Sequence, residues 1–194
     1  EMCIRDRITA AGNRLFPAAV IHAIEIDTAV TKVAKKYFDF TENDQIKVFD
    51  QDGRVFTKRA LANSFKYDLI ILDAFNGDYI PEHLMTQEYL QENKAILSEK
   101  GLLASNTFTT SALYDHESTT YASVFDPLLN FKRPETNNRI LLAPNEPINR
   151  ARIVSRAKKY GPRMATFNVP IADYAQDILE ALDGQPDWNT DARV

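Results

Sequence analysis

The chain is poor in cysteine and glycine. Its 194 residues hold one cysteine, Cys3, and six glycines, at positions 12, 53, 77, 101, 161 and 184. A single thiol excludes an internal disulfide framework and fits a reducing, cytoplasmic compartment. The glycines do not cluster, so the chain has no glycine-rich turn of the kind that cradles a nucleotide. No apolar run approaches the ~20 residues needed to cross a bilayer. Repeats and low-complexity tracts are also missing. Positive charge is not in excess: 23 Lys and Arg stand against 27 Asp and Glu, a net charge of −4. That balance gives no electrostatic case for nucleic acid or an anionic membrane as partner. The basic run Arg150, Arg152, Arg156, Lys158 and Lys159 reads as a solvated helix face. His22, His83 and His116 lack metal-ligand spacing, and no metal is expected. His22, inside a strand, reads as a core histidine. His83 either faces the cleft or caps the next helix.

What the chain does have is alternation of strand and helix. Tyr67–Leu72 carries the unbroken apolar run Leu69-Ile70-Ile71-Leu72, the pattern of a strand buried on both faces of a parallel sheet. Asp73 closes it. In open α/β sheets ligands sit beyond the carboxyl ends of the strands, so an acid there is placed to touch a substrate. A second such strand, Ala19–Ile26, ends in Glu25 and Asp27. Asp27 is expected to cap the following helix. Glu25, apolar on both sides, is expected to hold a ribose diol, because two carboxylate oxygens can accept from two adjacent hydroxyls.

The pattern predicts helices near residues 8–16 and over 28–38, 55–63, 86–97, 112–125, 147–159 and 171–182. Strands are expected at 19–26, 46–49, 67–72 and 102–108, with Gly101 as a stop after a helix. Residues 139–143 are expected to form a last strand, antiparallel at the sheet edge after the turn at Asn137-Asn138. This order argues for a parallel sheet with helices on both faces and no second domain.

The first residues stand apart. Glu1-Met2-Cys3-Ile4-Arg5-Asp6 is what GAG ATG TGT ATA AGA GAC encodes, the end of a common transposon-based sequencing adapter. Residues 1–7 are therefore read as adapter-derived and residues 8–194 as one catalytic domain. On that reading the first strand and its glycine turn are missing, and the fragment by itself is expected to be inactive.

Four motifs in order resemble the spermidine synthase (polyamine aminopropyltransferase) family. They are Glu25-Ile26-Asp27 with Lys35-Lys36-Tyr37-Phe38, Asp52-Gly53-Arg54-Val55-Phe56, Tyr67 to Asp73, and Pro81-Glu82-His83-Leu84-Met85-Thr86 with Glu88-Tyr89. The Asp73-Ala74-Phe75 pattern and the segment from Ile80 to Leu84 are most similar to spermidine synthase-like, transporter-fused members. The resemblance implies a class I S-adenosylmethionine-dependent methyltransferase-like (Rossmann-type) doubly wound sheet, truncated at the N-terminus. It implies aminopropyl transfer from decarboxylated S-adenosylmethionine to a polyamine such as putrescine, without a metal. Glu25 would take the ribose hydroxyls and Asp52 the adenine amino group, with Gly53 letting the backbone approach. Asp73 would orient and deprotonate the attacking amine. The family's second aspartate is replaced by Asn76, which keeps an acceptor but loses attraction for a dication. Asp78 is near enough in sequence to compensate, and Tyr79 either lines the acceptor pocket or packs the loop. Three functions stay open: aminopropyl transfer, methyl transfer from S-adenosylmethionine, and a non-catalytic relative. The resemblance also admits a homodimer and an upstream membrane domain that would tether the protein.

Overall fold

A computed structural model describes residues 4–75, 79–132, 137–184 and 186–192. They fall into two compact units, one ending at Phe65 and one beginning at Lys66.

The first unit holds α1 (Ile4–Leu15), β1 (Ile21–Glu25), α2 (Thr28–Tyr37), β2 (Ile46–Asp50) and α3 (Gly53–Ala62). Helix α1 starts at Ile4, within the stretch expected to be adapter-derived. Strands β1 and β2 run parallel in register, with Ile21 opposite Ile46 and Glu25 opposite Asp50. Strand β1 is shorter than the predicted 19–26. Ala34, Phe40 and Ile46 form the unit's buried cluster, with Ile21 and Val48 packed on it. The helical spacing of α2 buries Thr31 and Ala34 and leaves its lysines outside.

The second unit holds β3 (Tyr67–Leu72), a 3-10 turn (Glu82–Leu84), α4 (Gln87–Ile96), β4 (Leu97–Phe108), α5 (Tyr114–Val124), β5 (Leu129–Lys132), β6 (Asn138–Pro144), α6 (Arg150–Ala165) and α7 (Ile171–Asp183). Its sheet order is β3-β4-β6-β5. Strands β3 and β4 are parallel, and β6 is antiparallel to both β4 and β5. The sheet is therefore mixed, within an α/β architecture.

Alternation along β4 assigns the two faces. Leu103, Ser105 and Thr107 are buried, and Leu103 belongs to the cluster it forms with Leu90, Leu97, Tyr121, Phe125, Leu141 and Ala143. Ile70 and Leu72 of β3 join this core. Leu69 and Ile71 point the other way and are 50% and 42% exposed. The expectation that β3 is buried on both faces is thus corrected. Within its unit β3 is an edge strand, paired to β4 alone among the described residues.

Other corrections have local causes. Gly101 does not stop a helix; it lies inside β4, where a Cβ would stand 2.9 Å from the Tyr67 carbonyl oxygen. The register jumps here, from Tyr67–Leu97 to Leu69–Leu102. The irregular stretch is pinned by Ser98 Oγ donating to Asp68 Oδ1 at 2.8 Å and Asn145 Nδ2 donating to the Ser98 carbonyl at 3.0 Å. Strand β6 is central rather than at the edge, because β5, which is not among the predicted strands, pairs with its outer side. Asn138 belongs to β6, not to a turn. Helix α6 starts at Arg150, capped by Asn149, and continues through Pro162. Its first residue, Arg150, is tied to Asp183 at the end of α7 by two hydrogen bonds of 3.0 and 2.5 Å.

Candidate active site

In the first unit, acids gather where β1 and β2 end. Because the strands are parallel, both carboxyl ends lie at one end of the sheet, bringing Glu25 level with Asp50. Asp27 caps α2, its Oδ1 accepting from Ala29 N at 2.8 Å. Glu25 Oε1 accepts from Asp27 N at 2.9 Å, which fixes the side chain beside the cap. Asp50 Oδ1 accepts from Thr31 Oγ1 at 3.1 Å and ties β2 to α2. Asp52 caps α3: its Oδ1 accepts from Arg54 N at 2.9 Å and Val55 N at 3.0 Å. That cap starts α3 at Gly53, two residues before the predicted start. Asp52 therefore has a structural duty that the sequence reading gave only to Asp27. The unit brings Glu25, Asp52 and Gly53 to one sheet end.

His22 sits in the same unit among aromatic rings. Its ring meets Phe49, Phe56 and Phe65 edge-on, with centroids 5.1, 6.0 and 6.5 Å away. Burial, aided by the charge of Lys47, lowers its pKa. This is a packed histidine.

In the second unit, Asp73 follows β3 directly and is half-buried. Its Oδ1 accepts from Asn106 Nδ2 at 2.9 Å, and Asn106 Oδ1 accepts from Asn138 Nδ2 at 2.8 Å. Sequence reasoning missed both asparagines. Only the register reveals them: Leu72 lies opposite Ser105, which places the next residue, Asp73, beside Asn106. Asn76 and Asp78 lie outside the described residues. Tyr79 is 57% exposed, and His83 is exposed in the 3-10 turn. Among the described residues no group of three or more His, Cys, Asp or Glu could hold a metal ion. Nor is any helix long and apolar enough to cross a membrane.

A cavity of about 580 Å³ opens elsewhere in this unit, lined by Asn130, Phe131, Lys132, Asp177, Glu180 and Asp187 among others. None of the predicted site residues lines it.

The chain is 42% identical over 190 residues to the polyamine aminopropyltransferase of Vibrio vulnificus (strain CMCP6), covering 96% of this chain and 62% of that protein. It thus spans about three fifths of that relative's length. Human methyltransferase-like protein 13, solved in complex with SAH, shares the fold with a TM-score of 0.70 at 21% identity, over 95% of this chain and 81% of that one. A probable spermidine synthase from Corynebacterium glutamicum superposes with a TM-score of 0.61 at 22% identity, over 71% of this chain and 51% of that one. Both likenesses establish the α/β, S-adenosylmethionine-dependent methyltransferase-like fold. Residues 16–127 match the spermine/spermidine synthase domain, and with more than half of its length so matched the chain belongs to the spermine/spermidine synthase family.

Proposed function

We propose that the whole protein transfers an aminopropyl group from decarboxylated S-adenosylmethionine to a small amine such as putrescine. The observation that carries this reading is Asp73, a half-buried carboxylate closing a strand and held by Asn106, in a chain of this family. Residues 8–194 are its catalytic domain, and its compartment is the cytoplasm.

The chemistry asks three things of the residues. An ammonium has no lone pair, so the acceptor must lose a proton before it attacks. Asp73 takes that proton and holds the amine in line. The amine nitrogen then bonds to the aminopropyl carbon, and the carbon–sulfur bond breaks. Its electron pair returns to sulfur, turning the sulfonium into a neutral thioether. Glu25 and Asp52 take no part in that step. They accept hydrogen bonds from the donor's ribose and adenine, with Gly53 admitting the backbone close to the ligand. Asn76, Asp78 and Tyr79 contact the polyamine. Asn76 offers an acceptor without charge, so Asp78 supplies the attraction for the distal ammonium.

Methyl transfer would use the same fold and the same carboxylates, and fold likeness at 21% identity does not separate the two. Family membership favours aminopropyl transfer. The test is a pair of assays on the full-length protein and its Asp73→Asn variant. One supplies decarboxylated S-adenosylmethionine with putrescine, the other S-adenosylmethionine with amine acceptors. Product from the first pair, lost in Asp73→Asn with folding and cofactor binding intact, is the expected result. Methylated product alone overturns the aminopropyl reading. Inertness of wild type in both assays with cofactor bound leaves a non-catalytic relative. Sedimentation of the full-length protein and the hydropathy of the complete gene test the homodimer and the fused membrane domain.

A further inference from the structure

We propose that Asn106 and Asn138 are positioning residues that form a polarised amide relay fixing the carboxylate of Asp73. The catalytic meaning of the relay rests on the reading of Asp73 as the base; its existence does not.

The register builds the relay. Asn106 lies opposite Ile140 and Asn138 lies opposite Phe108 in the antiparallel β4–β6 pair. Asn106 and Asn138 are therefore diagonal neighbours on one sheet face. Their sequence neighbours Thr107 and Arg139 point to the other face, into the core beneath α5. Two adjacent residues of β6 thus serve two different networks, because side chains alternate along a strand.

Acceptor chemistry sets the relay's direction. An ionised carboxylate only accepts, so Asn106 must present its NH₂ group to Asp73. Its carbonyl oxygen then faces β6 and needs a donor. Asn138 Nδ2 supplies it at 2.8 Å. The second amide holds the first in the one orientation that can serve Asp73. A flipped Asn106 would turn its oxygen toward the carboxylate and would also meet the NH₂ of Asn138 with its own. The half-buried setting strengthens each bond relative to bulk water. The carboxylate is aimed before an amine arrives, which is what a base at the end of an edge strand needs.

The test uses NMR on the chain as it stands and kinetics on the full-length protein. In labelled wild type, a side-chain amide proton of Asn106 should exchange slowly with solvent and lie downfield of free amides, and both marks should be lost in Asp73→Ala. Asn138→Ala should speed that exchange, and Asn138→Asp, which opposes an acceptor to the Asn106 carbonyl, should speed it further. If an Asn138 variant does not fold, the wild-type and Asp73→Ala spectra decide. In the full-length enzyme Asn106→Ala should lower kcat several-fold with KM for the sulfonium donor unchanged. An Asn106 amide that exchanges as a free one, or that is unchanged in Asp73→Ala and in the folded Asn138 variants, overturns the relay. Amide exchange that responds as expected while Asp73→Asn keeps turnover supports the relay and sinks the base reading instead.

Discussion

Arg139 and Glu117 form an ion pair of 3.0 Å with their side chains 0% and 5% exposed. The arginine is fully engaged. Its Nε donates to Thr107 Oγ1 at 2.7 Å, Nη1 to Ser118 Oγ at 2.6 Å, and Nη2 to the Tyr114 carbonyl at 3.1 Å. The Tyr114 ring stacks 3.8 Å from its Cζ. Ser111 Oγ donates to the other Glu117 oxygen at 3.1 Å. Strand β6, strand β4 and helix α5 are joined through this one guanidinium.

Glu117→Ala should therefore destabilise the second unit by about 3–5 kcal/mol, because it strands a buried charge. The double variant Glu117→Leu with Arg139→Met should recover much of that loss, since neither charge is then buried. Urea unfolding of the three proteins measures both. A Glu117→Ala loss under about 1 kcal/mol would show that water reaches the guanidinium.

Gly101→Ala should cost about 1–3 kcal/mol through overpacking. The new methyl would meet the Tyr67 carbonyl oxygen at 2.9 Å and Leu97 at 3.0–3.1 Å. Backbone on one side and a buried leucine on the other leave little room to yield. The same measurement checks it, and an unchanged midpoint would mean that the stretch from Ser98 to Gly101 relaxes freely.

Asp52 caps α3, and substitution can separate that cap from the donor contact proposed for it. Asp52→Ala should cost about 1 kcal/mol of stability by removing the cap of α3. Asp52→Ser keeps a capping oxygen and should stay within about 0.5 kcal/mol of wild type. In the full-length protein both should weaken binding of the S-adenosyl donor, as should Glu25→Ala, the last by about 1.5–3 kcal/mol. Wild-type affinity in Asp52→Ser, read by calorimetry, would reduce Asp52 to a cap.

The segment around Asp187 should open in acid. Burial alone would raise its carboxyl, but hydrogen bonds from Lys132 and Asn130 and the Lys132 charge outweigh it and hold the pKa below the usual carboxylate range. Lys132 lies 2.5 Å away and Asn130 Nδ2 2.7 Å. A depressed pKa means that the stabilisation is complete above the unfolded value of about 3.9 and fades as pH falls through the folded value. For Lys132 burial lowers the pKa, but the bonds to Asp187 and Tyr114 leave it raised. Its share is present below the unfolded value of about 10.4 and is lost as pH rises past the folded one. Trp188, the chain's one tryptophan, adjoins the cluster. Its fluorescence should shift below about pH 4 in wild type. In Asp187→Asn the titrating group is gone, and an acid shift that persists there would assign the change to another carboxyl.

The sequence by itself determined the elements whose cause is local. The apolar run of Tyr67–Leu72 places β3 to the residue. Helical spacing and capping place α2, α4 and α7 to within about a turn. Asp27 as a cap and His22 as a packed side chain also follow from local chemistry. The ordered motifs from Glu25 to Tyr89 carry the family resemblance, and they lie within residues 16–127, which match the family's domain. Tertiary structure decided the rest. Strand β5 is four residues long and is a strand only because β6 pairs with it. Gly101 is an interior residue because β3 passes against it, a neighbour that lies more than thirty positions earlier. Helix α6 crosses Pro162, where the local cost of proline gives way to packing against α7. Asn106 and Asn138 were invisible for the same reason. A hydrogen bond between strands depends on register, and register is fixed by pairing and by which face is buried, neither of which a single stretch of sequence contains.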